Sequence, residues 1–280
     1  MQKPPIFFSV IIPTLNEAGY LPKLLESLRF QTINSFEVIV VDGHSDDSTV
    51  KLAEEYMDKL PFLKIINSSK RNLPYQRNLG AKEARGAYFV FFDADVIAPP
   101  EFLEGIHYAI IRKKHAFLTT WVETKSKESS DQFIMALFNL GAELTKVIGR
   151  PIAHGPDTII RKDIFFKVGG FRENIKIAED HDFSLRVHKA GYELTILKEP
   201  RLIMSLRRFR SEGTINALGK MAQAQIYMFL KGPITRNIID YQMGGHVHKK
   251  KAKKVRFDLL DSYIKGMEKL EDKFNKLLTE

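Results

Sequence analysis

Short uninterrupted apolar runs alternate with amphipathic stretches through the N-terminal part of the chain, and few folds accept that alternation. Phe7–Ile12 ends at Pro13, Phe36–Val41 ends at Asp42, and Leu63–Ile66 and Ala87–Phe92 complete the set. Between them lie helix-like stretches at Leu21–Phe30, Asp46–Lys59 and Pro74–Arg85. A strand that is apolar on both faces must be covered on both faces. The pattern therefore predicts an α/β fold, with a mixed, mostly parallel sheet flanked by helices. Ser45, Asp46 and Ser48 offer N-cap side chains to the second helix, and Pro74 suits the first turn of the third.

In sheets of this kind the ligand sits beyond the carboxyl ends of the strands. The residues just after each run are Thr14, Asn16 and Glu17, then Asp42, Gly43, Ser45 and Asp46, then Asp93 and Asp95. Strand ends thus deliver acidic or polar side chains to one rim. In Asp93-Ala94-Asp95, alternation along an extended backbone points both carboxylates the same way, and Ala94 is small enough to let a ligand approach. Two such carboxylates suit a hard cation bridging the phosphates of a nucleotide, although an isolated Asp-x-Asp is also a common turn. Glu17 and Asp42, at strand ends, can accept hydrogen bonds from a base or ribose. Asp46, Asp47 and Ser48 suit a turn and helix cap.

The rest of the chain is more irregular. Helices are expected at Pro99–Lys113, Asp131–Ile148, Ile177–Lys189 and Glu212–Leu230, and strands at Ala116–Val122, His154–Arg161 and Tyr192–Leu197. Gly244–Lys254 reads as a basic linker and Val255–Leu278 as a last helix. The stripe Leu260, Ile264, Met267, Leu270, Phe274 and Leu277 on that helix suits packing or a homodimer seam.

The formal net charge of +9 is uneven, with clusters at Lys249–Arg256 and at Arg207, Arg208 and Arg210. Such clusters attract phosphates or an anionic membrane surface, while a solvated tail is the competing account of the lysine run. The chain has no cysteine, so a metal must be held by carboxylate, imidazole or substrate oxygens, which favours Mg²⁺ or Mn²⁺. No signal-peptide pattern and no bilayer-length apolar run is present, and the expectation is a cytoplasmic protein with peripheral attachment at the membrane face.

Taken together, Phe8–Glu17 (FSVIIPTLNE), Asp42–Thr49 (DGHSDDST), Arg77–Ala81 (RNLGA), Phe92–Asp95 (FDAD), Gly169–Glu173 (GGFRE) and Glu179–Arg186 (EDHDFSLR) resemble, in order, the signatures of family 2 glycosyltransferases with the GT-A fold. The resemblance implies an inverting, metal-assisted transfer of one sugar from a UDP- or GDP-linked donor to the hydroxyl of a sugar or lipid-linked acceptor. It implies a donor site of Pro13, Thr14, Glu17, Asp42, Arg77, Asp93, Ala94 and Asp95, with Asp95 as direct metal ligand and Asp93 beside it. Asp180 is implied as the general base, with Gly170, Phe171, Glu179 and Asp182 on the acceptor side. Arg207, Arg208 and Arg210 match a loop that closes on the diphosphate in relatives, and a solvated or lipid-facing cluster is the competing account.

Departures from the family pattern also inform. Ile97 stands where some relatives place a third metal ligand, and the Gln-x-x-Arg-Trp element of polymerising relatives is absent, as are their membrane-lipid counterparts' transmembrane helices. A GT-A domain is expected over 1–205, with a donor half to about 98 and an acceptor half from 99, followed by a helical extension over 206–280. His154, His181, His246 and His248 have no metal-site spacing and read as surface or packing residues. A sugar-phosphate nucleotidyltransferase should carry a Gly-rich loop where Pro13–Glu17 stands. In a catalytically silent nucleotide-sugar or nucleic-acid binding module, the acidic rim would repel a phosphate backbone, so nucleic acid is not expected as a partner.

Overall fold

The apolar runs become neighbouring parallel strands in a computed structural model that describes residues 5–60, 62–236, 238 and 244–245. Strand β1 (Phe8–Thr14) pairs with β2 (Phe36–Asp42), β2 with β3 (Leu63–Asn67), and β1 on its other side with β4 (Tyr88–Phe92), all parallel. Between them run α1 (Leu21–Arg29), α2 (Thr49–Glu54) and α3 (Leu73–Glu83). The chain continues through α4 (Phe102–Lys113), β5 (Phe117–Glu123), α5 (Ser129–Val147), β6 (Asp157–Arg161) and α6 (Lys162–Lys167). It then forms α7 (Glu179–Lys189), β7 (Leu194–Ile203), α8 (Arg207–Glu212) and α9 (Thr214–Lys231).

The sheet has seven strands in the order β3-β2-β1-β4-β6-β5-β7. Only β6 runs against its neighbours, β4 and β5. That reversal brings the start of β6 to the rim where the parallel strands end, with Asp157 opposite Phe92. Residues His154–Pro156, just before β6, therefore stand beside Asp93. Alternation along β1 sends Val10 and Ile12 to one face, where α1 and α4 pack, and Ile11 to the other, where α3, α6 and α7 pack.

The second helix departs from expectation. It spans six residues, Thr49–Glu54, rather than Asp46–Lys59, and the expected caps are otherwise employed. Ser45 bonds to Asp42, Asp46 pairs with Arg71 at 2.8 Å, and Asp47 accepts from the Thr49 amide at 3.0 Å. Polar side chains near the strand end thus secure the β2–α2 loop instead of lengthening the helix. The Arg207–Arg210 cluster is helix α8 rather than an open loop, and Leu206, Phe209 and Ala217 bury against the same core as α1 and α4. Among the described residues no helix is long and apolar enough to cross a membrane. The lysine run 249–254 and the last helix expected over Val255–Leu278 lie outside the described residues.

Asp157 is fully buried at the start of β6, where one carboxylate oxygen accepts from the Thr120 amide at 2.7 Å and hydroxyl at 2.6 Å. Its other oxygen has no partner among the described residues. Burial pushes its pKa up to about 6, against the Thr120 bonds. A raised carboxyl pKa favours the fold below the ordinary value and loses that contribution as pH rises through the folded one. Asp157→Asn should therefore gain about 3 kcal/mol relative to wild type between about pH 4 and pH 7. Denaturant melts of both proteins across that window would show it.

Candidate active site

Parallel register places the ends of β1, β2 and β4 on one rim, but their acidic side chains meet different fates. Thr14, Glu17, Asp93, Ala94 and Asp95 line a cavity of about 840 Å³, as do Pro13 and Arg77. Asp42 does not reach its wall. The Asp42 carboxylate accepts from Ser45 N at 2.8 Å, Ser45 Oγ at 2.5 Å and Thr14 Oγ1 at 3.2 Å. In this conformation it holds the β2–α2 loop.

Two arginines organise the acids. Arg77 on α3 is 1% exposed and donates to Asp93 Oδ1 at 3.0 Å, Glu179 Oε1 at 2.8 Å and the Gly155 carbonyl at 3.0 Å. It therefore joins the β4 tip, the β6 approach and the first turn of α7. Burial pushes the Glu179 carboxyl up, and Arg77 opposes that rise. Arg207 on α8 donates to both Glu17 oxygens at 2.5 and 2.7 Å and pairs with Asp95 Oδ2 at 2.8 Å. Its guanidinium lies 4.5 Å from the Tyr20 ring centroid. Burial pushes Asp95 up to about 6 despite Arg207, with Asp93 and Glu17 adding to the rise. Burial likewise raises Glu17.

Asp180 stands in the first turn of α7, and its Oδ1 accepts from the His181 amide at 3.0 Å. A Cβ at Gly155 would lie 2.7 Å from Asp180 Oδ2, so the missing side chain is what admits the carboxylate. Because the obstructed atom ends a rotatable side chain, Gly155→Ala should leave the melting temperature nearly unchanged while pushing Asp180 aside. Misplacement of a reacting group by about 1 Å can cost about 100-fold in rate. A turnover assay paired with a thermal melt tests this, and a lowered melting temperature with normal turnover would contradict it.

The acceptor-side residues divide. Glu179 lines the cavity; Gly170, Phe171 and Asp182 do not. Asp182 is held by Arg172 at 3.1 Å and Arg186 at 2.8 Å, and Phe171 stacks on Phe183 with centroids 4.4 Å apart. Gly170, at φ +64°, gives its carbonyl to Arg186 at 2.6 Å. These bonds hold the 170–172 segment against α7 and, through Asn78, against α3. Of the α8 arginines, Arg207 grips the acids, Arg208 lines the cavity and pairs with Glu212, and Arg210 pairs with Asp131 away from it.

Among the cavity residues outside the sequence-based set are two near the acids, Gln76 and His154. Gln76 lies beneath the rim and donates to the Thr14 and Val41 carbonyls at 2.9 and 2.7 Å. Its position one residue before Arg77 was the available signal. His154 is 8% exposed, its Nε2 has no partner among the described residues, and burial lowers its pKa to about 4. It is neither a surface nor a plain packing residue, because it lines the cavity.

Among the described residues no three acidic or histidine side chains converge as a metal cage. A partial site fits better. Of the five cavity carboxylates, Asp93 and Glu179 pair with Arg77 and Glu17 and Asp95 with Arg207, and Arg71, Arg150, Arg208 and Lys220 line the same cavity. Mg²⁺ or Mn²⁺ is commonly held by one or two carboxylates completed by phosphate oxygens and water. Asp93, with a 37% exposed side chain, and Asp95 supply such oxygens.

Known proteins resemble this chain in sequence and in fold. A Methanococcus voltae protein, dolichyl N-acetyl-alpha-D-glucosaminyl phosphate 3-beta-D-2,3-diacetamido-2,3-dideoxy-beta-D-glucuronosyltransferase, is 30% identical over 211 residues, covering 67% of this chain and 63% of its own. The chain spans about three-fifths of the length of this relative and of a Haemophilus influenzae glycosyltransferase, and about a third of S. aureus TarS. Among solved structures, S. aureus TarS 1-349 in complex with UDP-GlcNAc is similar with TM-score 0.59 and 26% identity, over 70% of this chain and 57% of that one. The mannosyltransferase PcManGT from Pyrobaculum calidifontis, in complex with GDP-Man and Mn²⁺, shares the fold with TM-score 0.61 at 19% identity, over 82% of this chain and 72% of that one. The mostly parallel sheet is thus that of GT-A glycosyltransferases. With the model of glycosyl transferase family 2 matching residues 9–169, more than half of its length, the chain belongs to that family.

Proposed function

We propose that the chain transfers one sugar from a nucleotide-diphosphate sugar to an acceptor hydroxyl, with inversion and with help from a divalent metal. The observation that carries this reading is that Asp93, Asp95 and Asp180, from two separate elements, line one cavity. The complexes of similar proteins with UDP-GlcNAc, and with GDP-Man and Mn²⁺, support a UDP- or GDP-linked donor.

In this reading Asp95 and Asp93 hold Mg²⁺ or Mn²⁺, which when bound offsets charge on the departing diphosphate. Asp180 accepts the proton of the acceptor hydroxyl as that oxygen bonds to the anomeric carbon, and the bond from that carbon to the diphosphate oxygen breaks on the opposite face. Arg77 keeps Glu179 and Asp93 apart from the reacting proton by engaging both carboxylates. Arg207 engages one Asp95 oxygen, Oδ2, and Glu17, and it would turn toward an incoming diphosphate by exchanging those bonds.

Calorimetric titration with UDP-GlcNAc and GDP-mannose, with and without Mn²⁺, tests the donor. Binding of one of them should require Mn²⁺ and fall at least 100-fold in Asp95→Asn, with slow release of UDP or GDP by wild type. Equal affinity without metal, unchanged in the variant, would overturn the reading.

A further inference from the structure

We propose that His154 selects the sugar that is transferred, by hydrogen-bonding one of its hydroxyl groups between the diphosphate end of the cavity and Asp180. The inference rests on the transfer reading above and adds to it a residue that recognises the sugar of the donor.

Position is the first argument. A transferred ring has to lie between the diphosphate, at Asp93 and Asp95, and the base that receives the acceptor's proton. The segment just before β6 touches both ends. The Gly155 carbonyl accepts from Arg77, which also holds Asp93, and a Cβ on the same glycine would lie 2.7 Å from Asp180 Oδ2. His154 immediately precedes that glycine and lines the cavity with it.

The backbone around His154 is held from both sides. Ala153 N donates at 3.0 Å to Ser184 Oγ on α7, the helix that carries Asp180, and His154 N donates at 3.1 Å to Thr119 Oγ1 on β5. The His154 carbonyl accepts from the Asp157 amide at 2.9 Å and from Thr158 Oγ1 at 3.1 Å. Ser184 and Thr119 are themselves fully buried. The imidazole is thus left with rotation about its own side-chain bonds, and a specificity contact gains from such preorganisation.

The ring itself is unspent. Neither of its nitrogens has a hydrogen-bond partner among the described residues, and Nε2 is buried. Packing does not call for such a group. Phe138, with its ring centroid 6.3 Å away, and Ile152 on the same wall are apolar, and a leucine could fill the space without burying unpaired polar atoms. Burial lowers the imidazole to about 4, so the ring is uncharged at neutral pH and offers one donor and one acceptor. An uncharged ring near the Asp180 carboxylate suits a neutral partner better than a phosphate. A hydroxyl both donates and accepts, so it can satisfy either nitrogen, and the soft torsion about the Cβ–Cγ bond lets a nitrogen turn to the cavity. A sugar without a hydroxyl there leaves the imidazole unpaired and is rejected.

His154→Leu removes the polar atoms at similar volume, and His154→Gln keeps a donor and an acceptor. The probes are UDP-GlcNAc and GDP-mannose, each set against UDP or GDP alone, titrated with Mn²⁺ into the full chain by calorimetry. For the nucleotide sugar that binds, His154→Leu should lose about 10-fold in affinity, the loss of one hydrogen bond, while the free nucleotide stays within about twofold. The same variant should melt no lower than wild type, because an unpaired buried group has been removed, and His154→Gln should recover part of the affinity. In wild type, the ring-nitrogen NMR resonances of His154 should move with that nucleotide sugar and not with the nucleotide alone, a readout that stands even if a variant fails to fold.

Equal losses for nucleotide sugar and nucleotide overturn the inference, as does a lowered melting temperature with donor affinity intact. Unchanged donor affinity with unmoved His154 resonances also overturns it, and is the result expected if the imidazole meets the acceptor instead. Donor binding that is indifferent to His154 removes this inference alone. Failure of both nucleotide sugars to bind with Mn²⁺ removes the transfer reading, and the inference with it.

Discussion

Asp180→Asn lowers sugar transfer by about 10²–10⁴-fold and leaves donor affinity within about twofold, the range expected when a positioned general base is lost. The substitution is isosteric, so the space opened by Gly155 still accommodates it, and an amide oxygen can still accept from the His181 amide. What disappears is the capacity to take the proton of the acceptor hydroxyl. Single-turnover transfer measured alongside nucleotide titration separates the two effects. Transfer at the wild-type rate would remove Asp180 from the chemistry, and loss of donor binding would show that the residue serves the donor instead.

Arg77→Met carries the largest expected effect on stability. The guanidinium is buried and satisfies two carboxylates and a carbonyl on three separate elements. Removing one partner of a buried ion pair typically costs about 3–5 kcal/mol, because the remaining charge is left uncompensated. In a chain of this size that lowers the melting temperature by roughly 10 °C. The sign of the pH dependence follows from Glu179, whose carboxyl burial already raises. Without Arg77 that group is tolerated when protonated and penalised when ionised, so the deficit of the variant should be smaller near pH 5 than near pH 8. Arg77→Met/Glu179→Gln should recover part of the loss at the higher pH. Thermal melts of the single and double variants at both values test this, and a deficit independent of pH and of Glu179 would assign Arg77 a packing role alone.

The two predictions address residues that the sequence names for different reasons. Asp180 stands within a motif whose resemblance implies its role, and the fold adds the glycine, Gly155, that makes room for it. Arg77 was implied only as a donor-pocket residue. Its tie to Glu179, 102 positions away in the chain, follows from the approach of α7 to α3. The same distinction explains Asp42 and Asp95. Both follow an apolar strand and read alike as strand-end acids, yet Ser45 and Thr14 hold the first away from the cavity while Arg207 meets the second inside it. His154 carried no local signal, since its significance lies in an antiparallel strand that returns it to the rim.

The sequence by itself determined the layered α/β architecture, the family and the rim on which acids gather, because strand and helix periodicity and strand-end punctuation are properties of consecutive residues. Only the tertiary structure decided which of those acids share an arginine, and that α5 and α9 form part of the wall of the same cavity. Contacts such as Glu17 with Arg207 join residues 190 positions apart, and no local pattern encodes them. They arise when the faces left over after the sheet is covered are packed against one another.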